Sequence, residues 1–186
     1  MYFTISGKEH IPNVIKLLAA ADNSYQRKQV IKKEEADGIN AMSVIFVKGD
    51  ENSIYPDVFD VPVFLVSDEV RKVMQMYDDS LIFKSATLSN KKTSQQFSYW
   101  LTLMDEIDCL APSTEIMGNG SLKKLVLDEA KIGKRRMFRV GGISEHIVVI
   151  NVDIAESILR RFFIGIELKP VQVVQLEQLE QVEQGA

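Results

Sequence analysis

The chain has 186 residues, 46% of them hydrophobic, and its 22 Lys and Arg against 26 Asp and Glu give a net charge of -4. That length is enough to bury a full core in one domain, and the acidic balance lacks the basic face that nucleic-acid binding requires. One cysteine, Cys109, excludes an internal disulfide and a thiolate metal cluster, which suits a reducing cytoplasm.

Tyr2-Phe3-Thr4-Ile5 predicts an edge strand. Ile11, Val14, Ile15 and Leu18 fall on one helical face after Pro12, a residue the first helical turn tolerates, and predict a helix. Residues 22–38 are dominated by Gln26-Arg27-Lys28 and Lys32-Lys33-Glu34-Glu35, with Val30 and Ile31 as the strong apolar anchors, and read as a loop or a marginal helix. Met42 to Val47 reads as a buried strand, Lys48 to Asn52 as a turn, and Tyr55-Pro56-Asp57 as an extended approach to the next unit.

That unit occurs twice. Val61, Val63 and Phe64-Leu65-Val66 lead into Ser67, then Val70, Val73, Met74 and Tyr77 at helical spacing, then Leu81-Ile82-Phe83-Lys84. Ile147-Val148-Val149-Ile150 leads in the same way into Asn151, then Ile154, Ile158, Leu159 and Phe162, then Ile164, Ile166 and Leu168. Ser67 and Asn151 stand 84 residues apart. Each is an N-cap residue type placed between an apolar run and the start of a 3.6-residue period, so each unit predicts strand, capped helix, strand. The core expected from these phases is Leu65, Val70, Met74, Ile82, Phe83, Val149, Ile154, Ile158 and Leu168.

Between the units, Phe97 to Leu103 predicts a strand containing Trp100, and Asp105 to Asp108 with Ala111-Pro112-Ser113 a loop. Leu122, Leu125 and Leu127 suggest a strand, Asp128 to Gly133 a short turn, and Met137 to Val140 another strand. Gly141-Gly142 supplies the positive φ angles of a tight turn, pairing Phe138 to Val140 with Ile147 to Ile150. From Gln175 to Gln184 an apolar-Glu-Gln triplet repeats, placing Leu176, Leu179 and Val182 on one face if helical. A solvated tail or a weak self-association face both fit it. The expected fold is α+β, a mixed, largely antiparallel sheet carrying two strand-helix-strand units, with residues 1–170 as a single domain and 171–186 as a low-complexity Glu/Gln tail.

The catalytic inventory is thin. His10 and His146 are the two histidines, and His146 falls where a hairpin strand begins, a strand-end surface position. Gly118-Asn119-Gly120-Ser121 before Lys123-Lys124 lacks the glycine spacing and the Lys-Ser pair of a phosphate loop and reads as a turn. Asp105, Glu106 and Asp108 lack the alternating oxygen ligands of a calcium loop. Cys109 lies between Asp108 and Leu110, a setting that disfavours the thiolate. Lys131, Lys134, Arg135 and Arg136 form a small basic turn. Met1 to Lys8 has no basic start and apolar core of a signal peptide, and no run nears the roughly 18 apolar residues of a membrane span. The expectation is a cytoplasmic protein with no catalytic residues, metal, cofactor, membrane contact or nucleic-acid partner.

Tyr99-Trp100-Leu101, Asp105-Glu106-Ile107-Asp108-Cys109-Leu110, Ser113-Thr114-Glu115, Lys124 to Asp128, Phe138-Arg139-Val140 and Ala155 to Arg161 with Gly165-Ile166 carry a resemblance. Together with Tyr55-Pro56-Asp57 and Val66 to Val70, they resemble the bacterial immunity-protein family numbered eleven of polymorphic toxin systems, over roughly residues 40–170. The resemblance implies a cytoplasmic, non-enzymatic α+β protein that binds a cognate toxin and blocks it. Acidic loops facing a basic toxin surface speed association, and Asp105, Glu106, Asp108 and Glu115 are the expected partner contacts. Two rival readings stand beside it: a small hydrolase or transferase using Asp108, Glu145 and His146, and a self-assembling structural module using the tail.

Overall fold

The computed structural model describes residues 1–18, 31–118 and 121–175. Along the chain it forms β1 (Tyr2–Gly7), β2 (Lys16–Leu17), a 3-10 helix (Lys33–Gly38), β3 (Met42–Lys48), β4 (Val58–Phe59), β5 (Leu65–Ser67), α1 (Asp68–Tyr77), β6 (Ile82–Ser89) and β7 (Gln96–Leu103). There follow β8 (Glu106–Ile107), β9 (Glu115–Ile116), β10 (Leu122–Lys124), β11 (Val126–Asp128), α2 (Glu129–Ile132), β12 (Met137–Val140), β13 (Val148–Asn151), α3 (Val152–Leu159) and β14 (Ile166–Val174). Two six-stranded sheets run β2-β3-β6-β7-β5-β4 and β11-β14-β1-β13-β12-β8, with β9 and β10 as a separate ribbon. The fold is α+β, with mixed sheets that are mostly antiparallel.

Both expected units form. Ser67 Oγ accepts from the Val70 N–H at the start of α1, and Asn151 Oδ1 accepts from the Ile154 N–H at 3.1 Å at the start of α3. In each, the strand before the helix and the strand after it flank one inserted strand to which both run antiparallel, so they are parallel to each other. The match extends outward. β3-β6-β7-β5-β4 and β11-β14-β1-β13-β12 correspond position by position, with a parallel first pair and antiparallel pairs thereafter. The inserted strand has a different origin in each half: β7 follows β6 in sequence, whereas β1 comes from the other end of the chain.

The helices lie together in the central core, where Val70, Val73 and Met74 of α1 meet Ile154, Ala155 and Ile158 of α3. Val66 of one sheet and Ile5, Val148 and Ile150 of the other close this layer. Neighbouring residues turn the opposite way, as the two-residue strand period requires. Leu65 belongs to a second cluster with Val47, Ala86, Leu88 and Tyr99, and Val149 to a third with Cys109, Leu127, Ile132 and Phe138. Of the expected core, Leu65, Val70, Met74, Val149, Ile154 and Ile158 are buried, and Ile82, Phe83 and Leu168 are half-buried.

Several elements differ from the sequence reading. β1 is an interior strand between β13 and β14, because alternation identifies a strand without identifying its neighbours. No helix forms over residues 11–18: His10 and Asn13 take φ of 63° and 56°, in the left-handed region that ends helices. The Asn13 side chain instead binds Asp50 and the Asn52 carbonyl, and Ile15 N–H pairs with Ile54. β3 is buried on one face only, with Met42 67% and Val44 55% exposed. Asp105 to Asp108 contains the short strand β8, Asp128 to Gly133 folds as α2 capped by Asp128, and the Leu122–Leu127 strand divides into β10 and β11. β12 pairs with β13 as expected, Phe138 opposite Val149, but through a longer loop in which Gly142 alone takes positive φ.

The chain between β14 and α3 requires its glycine. Gly165 has φ of 76°, and a Cβ there would fall 2.5 Å from Pro56 Cβ and 3.0 Å from Ile11 Cδ1. β14 then continues through Pro170 to Val174, past the expected domain end at 170. The β11 ladder begins at Gln172, so Pro170 sits where β14 pairs only with β1. Leu176, Leu179 and Val182 of the expected tail face lie outside the described residues.

Candidate functional site

β8 is fixed by β12. Arg139 stands opposite Glu106 in a parallel ladder, the Arg139 N–H donates to the Asp105 carbonyl at 2.9 Å, and the Gly141 N–H donates to Ile107 at 2.8 Å. This pairing decides where the four expected partner contacts go. Glu106 Oε2 accepts from Arg139 Nε at 2.9 Å and from its terminal nitrogen at 2.6 Å. The Arg139 side chain is only 4% exposed, so Glu106 satisfies a buried cation. Asp105 Oδ1 lies 2.8 Å from Lys33 Nζ, supplied by the 3-10 helix, and its side chain is about half exposed. Asp108 is exposed, with no ion pair or side-chain hydrogen bond among the described residues. Glu115 stands apart on the β9-β10 ribbon, exposed and paired with Lys123 at 2.6 Å.

Asp105 also walls an open groove of about 450 Å³ shared with Asp78, Asp79, Lys134, Arg135 and Arg136. Asp105, the first residue of the acidic stretch, and the basic turn, far apart in sequence, thus line one depression. Arg136 reaches across it to donate to the Tyr77 carbonyl at 3.4 Å, and Arg135 folds back onto the Ile132 carbonyl at 3.3 Å. Asp78 Oδ1 accepts from Ser80 N–H at 3.0 Å, which turns the chain from α1 into β6. Asp79 and Lys134 are exposed, without ion pairs or side-chain hydrogen bonds among the described residues. Sequence reasoning missed Lys33, Asp78, Asp79 and Arg139. The signal for Arg139 was present: a charged residue between Phe138 and Val140 in a buried strand needs a carboxylate or carbonyls to hold it.

Glu145 and His146 of the hydrolase reading each have a contact of their own. Glu145 Oε1 accepts from the Leu122 N–H at 2.7 Å and so anchors the β9-β10 ribbon. His146 is half-buried rather than a surface residue, its ring 6.4 Å from the Phe64 ring. Cys109 is buried, and burial, reinforced by the negative charge of Asp108, pushes its thiol up to about 11. His10 is fully in solvent beside Glu9, at 3.9 Å. Burial, with the nearby charge of Asp57, also raises the Tyr99 phenol, whose hydroxyl donates to the Pro56 carbonyl at 2.7 Å. Among the described residues no three His, Cys, Asp or Glu side chains are placed to hold a metal, and no helix is long and apolar enough to cross a membrane.

No protein-family model matches the chain, and no curated protein matches it.

Proposed function

We propose that this protein is a cytoplasmic immunity protein that binds a cognate bacterial toxin domain and blocks it by covering its surface. The observation that carries the reading is the charged groove, in which Asp105 and Asp79 present carboxylates to solvent beside the Lys134–Arg136 turn. Asp108 adds an exposed carboxylate just beyond β8, and Glu115 one on the separate β9-β10 ribbon, paired with Lys123. Glu106, exposed on β8, also holds Arg139 and so fixes the strand that places Asp105 and Asp108. Asp79 and Asp108, which have no ion pair among the described residues, offer carboxylates to basic groups of a partner, while Lys134, Arg135 and Arg136 offer cations to its acidic ones, so charge complementarity here fixes orientation. The resemblance in the 40–170 segment points the same way.

The test is association kinetics against the toxin domain encoded beside the gene, at two salt concentrations. Rising salt screens exposed charges over a Debye length of about 8 Å at physiological ionic strength, so association should slow. The D79N/D105N variant should associate about three- to tenfold more slowly at low salt, with the dissociation rate nearly unchanged. An identical salt slope for variant and wild type would remove the groove from the interface. A neighbouring gene product that is not a toxin, or a toxin whose activity persists in excess of this protein, would sink the reading itself.

A further inference from the structure

A second concavity lies where β2, β3 and β6 meet the Pro62-Val63 segment. It encloses about 290 Å³ between Leu17, Val63, Leu65, Ala86 and Leu101. These side chains extend the apolar layer behind the β3-β6-β7-β5 sheet, where Leu65 and Ala86 are buried among Ile15, Val47 and Tyr99. One residue on this face breaks the pattern. Lys84 stands opposite Leu101 in the β6-β7 ladder and two residues from Ala86, so strand alternation directs it to the same side. It is half-buried and makes no ion pair or hydrogen bond among the described residues. Ser43, on the cavity face of β3 opposite Ala86, is also without a side-chain hydrogen bond among them.

We infer that this cavity is a binding site for a small aliphatic monocarboxylate, for which octanoate serves as the probe. The apolar walls take the alkyl chain and gain from removing it from water. A carboxylate at the Lys84 end supplies a counter-charge that Lys84 lacks among the described residues, through charge-assisted hydrogen bonds. The Ser43 hydroxyl is a second donor that lines the cavity. A lysine that merely lays its stem along apolar surface and keeps its head in solvent would give no preference for an acid over the matching alcohol.

The probe pair is octanoate and 1-octanol, titrated calorimetrically into the full chain below the micelle concentration, with thermal unfolding as a second readout. Saturable one-to-one octanoate binding is expected, with 1-octanol weaker by about tenfold or more, the effect of one charge-assisted contact. Lys84→Met should abolish that discrimination while still binding the alcohol, and should raise rather than lower the unfolding temperature of the free protein. Equal binding of acid and alcohol, octanoate affinity unchanged in Lys84→Met, or no saturable octanoate binding would each overturn the assignment.

Discussion

Arg139 makes three side-chain hydrogen bonds, two to Glu106 and one at 3.0 Å to the Ile31 carbonyl. A buried guanidinium held this way ties β12, β8 and the segment before the 3-10 helix together. Replacing it with Met keeps the volume but strands a carboxylate that is only a third exposed. The expected loss in urea denaturation is about 2 kcal/mol, the range for hydrogen bonds to charged groups reduced for the partial exposure of Glu106. Glu106→Gln retains an acceptor and a packed side chain, so about 1 kcal/mol is expected there. An Arg139→Met protein as stable as wild type would show that Glu106 finds adequate solvation alone. The pair also explains why the acidic stretch was only partly legible. Four carboxylates can be counted in the sequence, but their cations, Arg139 and Lys33, lie 33 and 72 residues away from Glu106 and Asp105.

At the scale of the element, the two caps were the clearest sequence signal, and both form, with the Val70 and Ile154 N–H groups as donors. Their signal is local: a polar acceptor, three residues, and an amide with no helical partner. The helix expected over residues 11–18 failed for an equally local reason, because the apolar spacing was right while Asn13, bound to Asp50 and Asn52, turned the backbone left-handed. Periodicity reports which side chains seek the core and leaves the backbone path open. Ser67→Ala and Asn151→Ala should each cost about 1 kcal/mol by chemical denaturation. Ser67 carries a second role, since its hydroxyl donates to Asp57 Oδ1 at 2.6 Å, and Asp57 Oδ2 accepts from the Ile164 N–H. The Ser67 substitution is therefore expected to be the costlier of the two, and the reverse order would show that this link between the halves is not stabilising.

At the scale of the molecule, the two halves share one strand order, and that order places the chain's first strand in the slot of a last one. In the first half β6 runs into β7 through a short turn, Ser89 opposite Gln96. In the second, β14 runs alongside β1 in the same antiparallel sense, Ile166 opposite Gly7 and Val171 opposite Tyr2, without a direct connection. The repeat itself was legible from the caps, but the strand exchange was not, because nothing in Tyr2 to Gly7 marks its partners as residues 148–151 and 166–171. The geometry makes a specific prediction. Val174 leaves β14 near the start of β1, so joining Ala186 to Met1 leaves residues 175–186 as linker, at up to about 3.3 Å per extended residue far more than a hairpin needs. New termini opened between Glu9 and His10, both exposed and in a turn, cut no strand. This permutant begins at His10 and ends with β1 as a covalent continuation of β14, the order β11-β12-β13-α3-β14-β1 then matching β3-β4-β5-α1-β6-β7 apart from α2, which has no counterpart between β3 and β4. It should unfold cooperatively with a stability within about 2 kcal/mol of the natural order, since only loop-closure terms change. Deleting Met1 to Gly7 instead removes the central strand of a sheet, leaves β13 and β14 unpaired toward each other, and should abolish the cooperative transition. A deletion that still unfolds cooperatively, or a permutant that does not fold, would mean that β1 is not the missing last strand of the second half.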